Sequence, residues 1–457
     1  MPSDPYVFTL SAASGGDRDL ATLRGEAIAD AHVRFRRMAG GDALFQPPEV
    51  DQATVERWGQ WLIEQLEAGD RIYQRSGEGW RLRSGKLHEE SEQRLGELNG
   101  WSDKALAGQR ELLEHVDDPG DSGDELEQSL SKLAAAGWNV DSKKDKGPPT
   151  VYFAAGDMPL AIGDDWRTSG ALHPRFAAAL TLLIASLPPD RRDGDPSSQG
   201  AELAARLPAL AIVGDNTNAA LLDLRTIAKA LRDAGGLELD DGEPVGPALL
   251  HGGFKLRAVK RKRAAAANGA SAEPAAAPDP NDPVTLVATY GEDTLRFALL
   301  HAAAPTNRFS ATDDILGYVA AFLADLRAFG TSRVDNATAA AARIYGSDGL
   351  RRRLAGWCDT AVARSTENHE RIDLHLATRN AIRLFARIED FAARVTADRG
   401  DLAGADREAV ATALAVLSRL LAPLAPGVAR ELWQSTGHSG TPDDAAWPSL
   451  QREPAAA

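Results

Sequence analysis

The sequence predicts an α/β fold with a parallel sheet, followed by an all-α helical bundle. Three observations carry that prediction. A short apolar segment, Tyr6–Leu10, is followed by a small-residue turn (Ser14, Gly15, Gly16) and then by a run with Ile28, Ala31 and Phe35 at helical spacing. A second unit of the same kind lies near the middle: Leu207–Val213 (LPALAIV), the turn Gly214-Asp215-Asn216, and an apolar-faced helix over Asn218–Ala234. Strand, turn, helix twice over is what a parallel sheet requires, because each parallel connection needs a crossover. From Val284 onward the chain reads as helix after helix with short breaks, the pattern of an antiparallel bundle.

Taken in order, Tyr6–Leu10 is a buried strand and the helix after it begins past Gly25 and runs to Arg37. Ala43–Phe45 is a second strand, stopped by Gln46-Pro47-Pro48. Thr54–Ala68 is an amphipathic helix with Val55, Trp58, Leu62, Ile63 and Leu66 on one stripe. Charges alternate at helical spacing over Trp80–Leu98, and Trp101–Val116 continues as helix. The run DDPGDSG from Asp117 to Gly123 opens a segment that ends in the polar loop Pro188–Gly200. Inside it lie a helix at Leu126–Ala136, a strand at Thr150–Phe153 and an apolar helix at Phe176–Ser186. The expected division is therefore 1–116, an insertion at 117–200, 201–300, and a bundle at 301–457. Ala264–Pro283, rich in Ala, Pro and Gly, has too few bulky side chains to pack and is expected to be disordered. In the bundle, Ile315–Phe329, Thr338–Ile344, Leu350–Ala363, Leu374–Val395 and Arg407–Leu424 carry apolar stripes, as at Ile382, Phe385, Ile388 and Ala392.

With 457 residues there is room for about two to four domains. The net charge of −15 disfavours indiscriminate binding to nucleic acid, yet leaves room for a local basic groove. Cys358 is the sole cysteine, which excludes an intrachain disulfide and any Cys-based zinc module. The N-terminal MPSDPYVFTL has no charged n-region or apolar h-region, and no apolar run reaches spanning length. The expected compartment is the cytoplasm, with no membrane and no DNA as partners.

Metal and nucleophile chemistry find little support. His369 and His375 are the one acid-supported pair, and six residues apart they fall on different helix faces. Cys358, beside Trp357 in a helical stretch, reads as a packing residue. No G-x-S-x-G elbow or Walker-type loop occurs. Two basic features stand out: Lys255–Arg263 (KLRAVKRKR), and the triple Arg351-Arg352-Arg353 as an RNA-facing patch. A dense positive run in an acidic chain is suited to phosphates.

Tyr290–Pro305 (YGEDTLRFALLHAAAP) resembles the segment joining the catalytic and anticodon-binding domains of class I aminoacyl-tRNA synthetases, leucyl-tRNA synthetase most closely. Leu420–His438 (LLAPLAPGVARELWQSTGH), ending in Ala446-Trp447-Pro448, is similar to the family's LLAPFAPHIAEELW…GH…WP stretch, and Ala377–Phe391 to the helix before it. Trp58-Gly59-Gln60-Trp61 resembles the W-T-Q-W helix, Gly100-Trp101 with Gln109-Arg110 a further segment, and Leu249–Leu256 the lead into the KMSKS loop. Tyr6-Val7, Ser14-Gly15, Arg24-Gly25, Arg36-Arg37-Met38 and Asp51 follow the N-terminal pattern. The resemblance implies a Rossmann-like catalytic domain ahead of an anticodon-binding-type bundle. It also implies ATP with Mg²⁺ as cofactors, and as partners an amino acid with tRNA, or a synthetase or other translation-related protein.

The departures fall on the chemistry. The HIGH slot reads Asp19-Leu20-Ala21-Thr22, where a carboxylate repels a triphosphate and the glycine is lost. The KMSKS slot reads Val259-Lys260-Arg261-Lys262-Arg263, which keeps positive charge, and GG-x-E-H becomes Gly214-Asp215-Asn216-Thr217-Asn218. Zinc modules are absent and the editing-type insertion is short, with Thr150–Met158 a faint echo of its threonine-rich motif. The family's C-terminal tRNA-contacting appendage is not matched. The resemblance thus assigns Gly15, Gly16, Gly214, Lys260 and Lys262 to phosphate binding and Asp51 to the amino-acid pocket. Arg261, Arg263, Arg351, Arg352 and Arg353 fall to tRNA. The leading expectation is a synthetase-like protein without ordinary aminoacylation that binds tRNA, a nucleotide or a protein. The alternatives are a repurposed enzyme that activates an amino acid or uses aminoacyl-tRNA, with Thr22 donating a hydrogen bond, and a subunit that docks on an active synthetase.

Overall fold

A computed structural model describes residues 6–10, 19–45, 50–75, 79–83, 158–162, 172–207, 209–214, 218–233, 235–237, 244–257, 279, 281–311, 314–333, 349–399, 402 and 404–450. The chain forms two compact units, one of residues 1–12 and 44–249, the other of residues 13–43 and 250–457.

The first unit is built on a four-stranded sheet. β1 (Tyr6–Leu10) lies between β2 (Leu44–Phe45) and β6 (Ala209–Gly214), parallel to both, and β7 (Val245–His251) lies beside β6. Tyr6, Val7 and Phe8 are all buried, as are Ala209 to Ile212, so these strands are covered on both faces. Double coverage explains why they read as unbroken apolar runs rather than alternating ones. The unit also holds a helical layer. It comprises α2 (Gln52–Ala68), α3 (Pro174–Ala185), the short α4 (Gly200–Ala205) and α5 (Asn218–Asp233), with α2 on α3 and α3 on α5. The predicted stripe Val55, Trp58, Leu62, Ile63 and Leu66 is fully buried. Trp58-Gly59-Gln60-Trp61 is a packing device. Trp58 is completely covered, with Nε1 3.4 Å from Arg192 O. A Cβ on Gly59 would strike Leu172, and one on Gly236 would strike the Trp61 ring. Arg175, in the first turn of α3, holds Asp223 of α5 through two bonds of 3.0 and 2.6 Å. Burial keeps the Asp223 carboxyl above its usual range even so.

Beside that core, β3 (Ile72–Arg75), β4 (Gly79–Leu82) and β5 (Met158–Ala161) form an antiparallel sheet. This corrects the helix expected from Trp80: Trp80–Leu82 are strand, paired with Ile72–Gln74. Gly79 at φ +98° takes the backbone out of helical space, and cross-strand pairing outweighs the spacing of the charges. The remainder of that helix lies outside the described residues. So do the expected helices at Trp101–Val116, Leu126–Ala136 and Thr338–Ile344, the Thr150–Phe153 strand and the Ala264–Pro278 stretch.

The second unit contains α1 (Leu20–Met38) and a run of helices. These are α6 (Pro283–Tyr290), α7 (Glu292–His301), α8 (Asp314–Arg333), α9 (Gly349–Glu370), α10 (Leu374–Arg399), α11 (Gly404–Leu421) and α12 (Pro426–Ser435). The stretch from Val284 is not purely helical. β9 (Phe309–Ala311) pairs in parallel with β8 (Phe254–Leu256), stacking Phe309 on Phe254 at 5.0 Å between ring centres. This unit groups α1 with residues 250–457. The cause is visible in α1 itself. Arg24 is 1% exposed and its guanidinium donates to four carbonyls, Gly252 (2.7 Å), Asn307 (2.8 Å), Ala303 (3.1 Å) and Ala304 (2.9 Å). A Cβ on the neighbouring Gly25 would lie 2.7 Å from His251 Nε2.

Two segments that carried the family resemblance meet here. Asp293 of α7 accepts the N–H groups of Gly427 (3.3 Å) and Val428 (2.5 Å) at the start of α12, and Arg296 donates to Pro423 O (2.7 Å). A Cβ at position 427 would lie 2.7 Å from Asp293 Oδ2, so a side chain there would have to shift the carboxylate. Trp447 closes the unit. Its N–H reaches Met38 O (2.7 Å), its indole reaches Thr366 Oγ1 (2.9 Å), and its ring meets Phe35 and His369 edge-on.

Candidate functional site

In the first unit's strand order, β2-β1-β6-β7, the step from β1 to β2 and the step from β6 to β7 run in opposite directions along the sheet. Between them, at the carboxyl ends of β1 and β6, is the switch point where open parallel sheets hold ligands. Gly214, the last residue of β6, is buried at that edge. Gly15 and Gly16, which the sequence placed with it, lie outside the described residues, as do Lys260, Arg261, Lys262 and Arg263.

The degenerate slot Asp19–Thr22 is the start of α1, and here the sequence-based boundary needs correcting. The helix begins at Leu20 rather than beyond Gly25. Asp19 is its N-cap: Oδ1 accepts the Thr22 N–H at 2.8 Å and the Thr22 hydroxyl at 2.7 Å. Leu20 is 1% exposed and packs inward, and Ala21 is half-buried. A helix N-terminus binds anions through its free N–H groups. Here a fixed carboxylate already occupies that place, and the Thr22 hydroxyl donates to it. The residues present do not fit a triphosphate at this end of the helix.

Asp51 has the same role one helix later. It is exposed, caps α2 by accepting the Thr54 N–H at 2.9 Å, and is held below the usual carboxylate range by its hydrogen bonds to Thr54. The arginine triple divides: Arg351 lies inward, 3.7 Å from the buried Asp406, while Arg352 and Arg353 are exposed on α9. Cys358 is 2% exposed and burial pushes its thiol up to about 12, which fits packing and not nucleophilic chemistry. Among the described residues no group of three or more His, Cys, Asp or Glu could hold a metal ion, and no helix is long and apolar enough to cross a membrane.

Sequence reasoning missed three features. Arg24 was noted only as part of the N-terminal pattern, with no role assigned to it. His369 is fully enclosed, stacked on Phe35 at 4.9 Å, and burial together with the nearby His32 lowers it to about 3. The third is a cavity of about 390 Å³ between α9 and α10, lined by Trp357, Arg364, Arg383 and Arg387. Arginines at 383 and 387, four apart on the face opposite the apolar stripe, were a legible signal for it.

With this geometry in hand, known proteins are informative. A family profile described as "Anticodon-binding domain of tRNA ligase" matches residues 354–456, which run from within α9 past α12. A leucine--tRNA ligase of Bradyrhizobium sp. (strain ORS 278) is 31% identical over 176 residues, 38% of this chain and 19% of that one. One from Nitratidesulfovibrio vulgaris is 25% identical over 247 residues, 51% of this chain and 26% of that one. Over these stretches the chain is similar to leucine--tRNA ligases. It spans about a fifth to a quarter of the curated relatives it matches. Among solved structures, the Agrobacterium radiobacter K84 agnB2 LeuRS in a ternary complex with tRNA and LeuAMS superposes with a TM-score of 0.64. It is 14% identical and covers 99% of this chain and 88% of that one. Apo methionyl-tRNA synthetase of Mycobacterium tuberculosis gives 0.54, 14% identity and 98% of both chains. The fold is therefore that of the class I synthetases: parallel sheet with helices, then a helical region with the anticodon-binding domain.

Proposed function

We propose that this chain is a leucyl-tRNA-synthetase-like protein that binds tRNA and lacks ordinary amino-acid activation. The observation that carries the second half is the Asp19 cap, which puts a carboxylate where a triphosphate would need donors. Activation depends on preorganised stabilisation of charge at phosphorus, and loss of one donor typically costs about 10²–10³ in rate. Two imidazoles and a glycine are replaced here. The first half is supported by the anticodon-binding domain match over residues 354–456 and by the tRNA in the agnB2 LeuRS complex.

One observation favours a second reading, a repurposed enzyme acting on an amino acid with ATP or on aminoacyl-tRNA. The parallel sheet keeps its switch point, with Gly214 buried at the strand end. The test of tRNA binding is equilibrium binding of unfractionated tRNA to the full chain at several salt concentrations. The proposal expects sub-micromolar to micromolar affinity with a negative salt slope, and salt-independent or undetectable binding overturns it.

A further inference from the structure

The α9–α10 cavity has a composition of its own. One wall is Trp357, Thr360 and Arg364 of α9; the other is Asn380, Arg383 and Arg387 of α10. No carboxylate lines it, although the chain carries a net charge of −15. Arg364, Arg383 and Arg387 make no ion pair among the described residues, in contrast to Arg327, Arg371 and Arg394 on the same unit, which all do. The Arg387 guanidinium lies over the Trp357 ring at 5.0 Å. Asn380 is 7% exposed and its Nδ2 has no hydrogen-bond partner. A buried amide donor left unsatisfied is unfavourable, and a turn of this side chain toward the groove would give it a partner there. Thr360 donates its hydroxyl to Gly356 O, which leaves its lone pairs free to accept.

We infer that this groove is a binding pocket for one nucleotide of single-stranded RNA. Seven residues separate Trp357 from Arg364, and Asn380 from Arg387, which is about 10 Å along each helix. The Arg364–Asn380 end, with Arg383, supplies three donors for a phosphate. The Trp357–Arg387 end supplies an aromatic face and a guanidinium plane, the two surfaces on which unpaired bases stack. The volume lies within the range of small-ligand sites. An acidic peptide would use the arginines but has no need of the ring. This inference rests on the tRNA-binding reading and locates part of that contact.

The test is fluorescence anisotropy with labelled unfractionated tRNA and with a labelled single-stranded RNA oligonucleotide, on the full chain and three variants. The double variant Arg383→Gln/Arg387→Gln is expected to weaken binding at least about tenfold and to reduce the salt slope by about 1.4. Trp357→Ala is expected to lose about 5- to 100-fold, a stacking effect that salt does not mimic. A control, Arg191→Gln/Arg206→Gln in the first unit, is expected to bind like wild type, and all variants are checked for an unchanged melting temperature. Wild-type affinity in R383Q/R387Q overturns the pocket and leaves tRNA binding standing elsewhere. Absence of RNA binding by the wild type overturns both. Binding of polyglutamate in place of RNA, lost in the same variants, overturns the pocket in favour of an acidic peptide.

Discussion

Asp19 and Asp293 both set a carboxylate at the N-terminus of a helix, and they do so by opposite means. Asp19 caps its own helix three residues on. Asp293 caps a helix 134 and 135 residues away, and its carboxylate lies 2.7 Å from where a Cβ on Gly427 would be. The first is local and replaceable; the second joins two segments that are far apart in sequence. The difference explains which parts of the family pattern persist in this chain. Residues that hold the second unit together through long-range contacts (Arg24, Asp293, Arg296, Trp447) are in place. At Asp19–Thr22 the residue that begins the helix caps it locally.

The comparison can be broken by mutation. The largest effect is expected at Arg24, the long-range anchor of α1. Arg24→Met leaves four carbonyls without their donor, and urea denaturation should show a loss of about 3–5 kcal/mol. Next is acid. His369 is held neutral, with its folded value near 3 against 6.5 when unfolded, so the unfolded state takes the proton first. Stability should be full above pH 6.5 and fall as pH drops toward 3, by about 1.4 kcal/mol per pH unit from this group. His301, lowered to about 4 by burial, adds to the slope down to that pH. Denaturation midpoints across pH 7 to 4 measure this, and His369→Phe should flatten the curve.

Smaller effects separate the two carboxylates directly. Gly427→Ala forces a methyl against Asp293 and should cost about 1–3 kcal/mol. Asp19→Ala should cost about 1 kcal/mol, and Asp19→Asn almost nothing, because asparagine caps as well as aspartate. An Asp19→Asn penalty as large as that of Gly427→Ala would show that the Asp19 charge, and not its capping geometry, matters to the fold.

Much of this was legible in the chain. β1 and β6 were, because strands buried on both faces leave continuous apolar runs. The stripes of α2 and α10 were, because a helix packed on one face leaves a 3.6-residue period. The start of α1 was not. Arg24 and Gly25 interrupt the period, and both are explained by partners around residues 251–252 and, for Arg24, 303–307, more than two hundred positions away. β4 and β9 escaped for the same reason, since a three- or four-residue strand is defined by its partner. Among the site residues, Asp19 was found but its role was not, because a carboxylate facing a phosphate and one capping a helix have the same sequence. The α9–α10 groove needed two helices side by side before Trp357 and Arg387 could be seen together.

On the proposed function, the slot that Asp19 caps does not activate an amino acid. ATP–pyrophosphate exchange on the purified full chain, run separately with each common amino acid, tests it most directly. The account predicts exchange at background with all of them. Robust exchange with any single amino acid would contradict it and establish the repurposed enzyme instead.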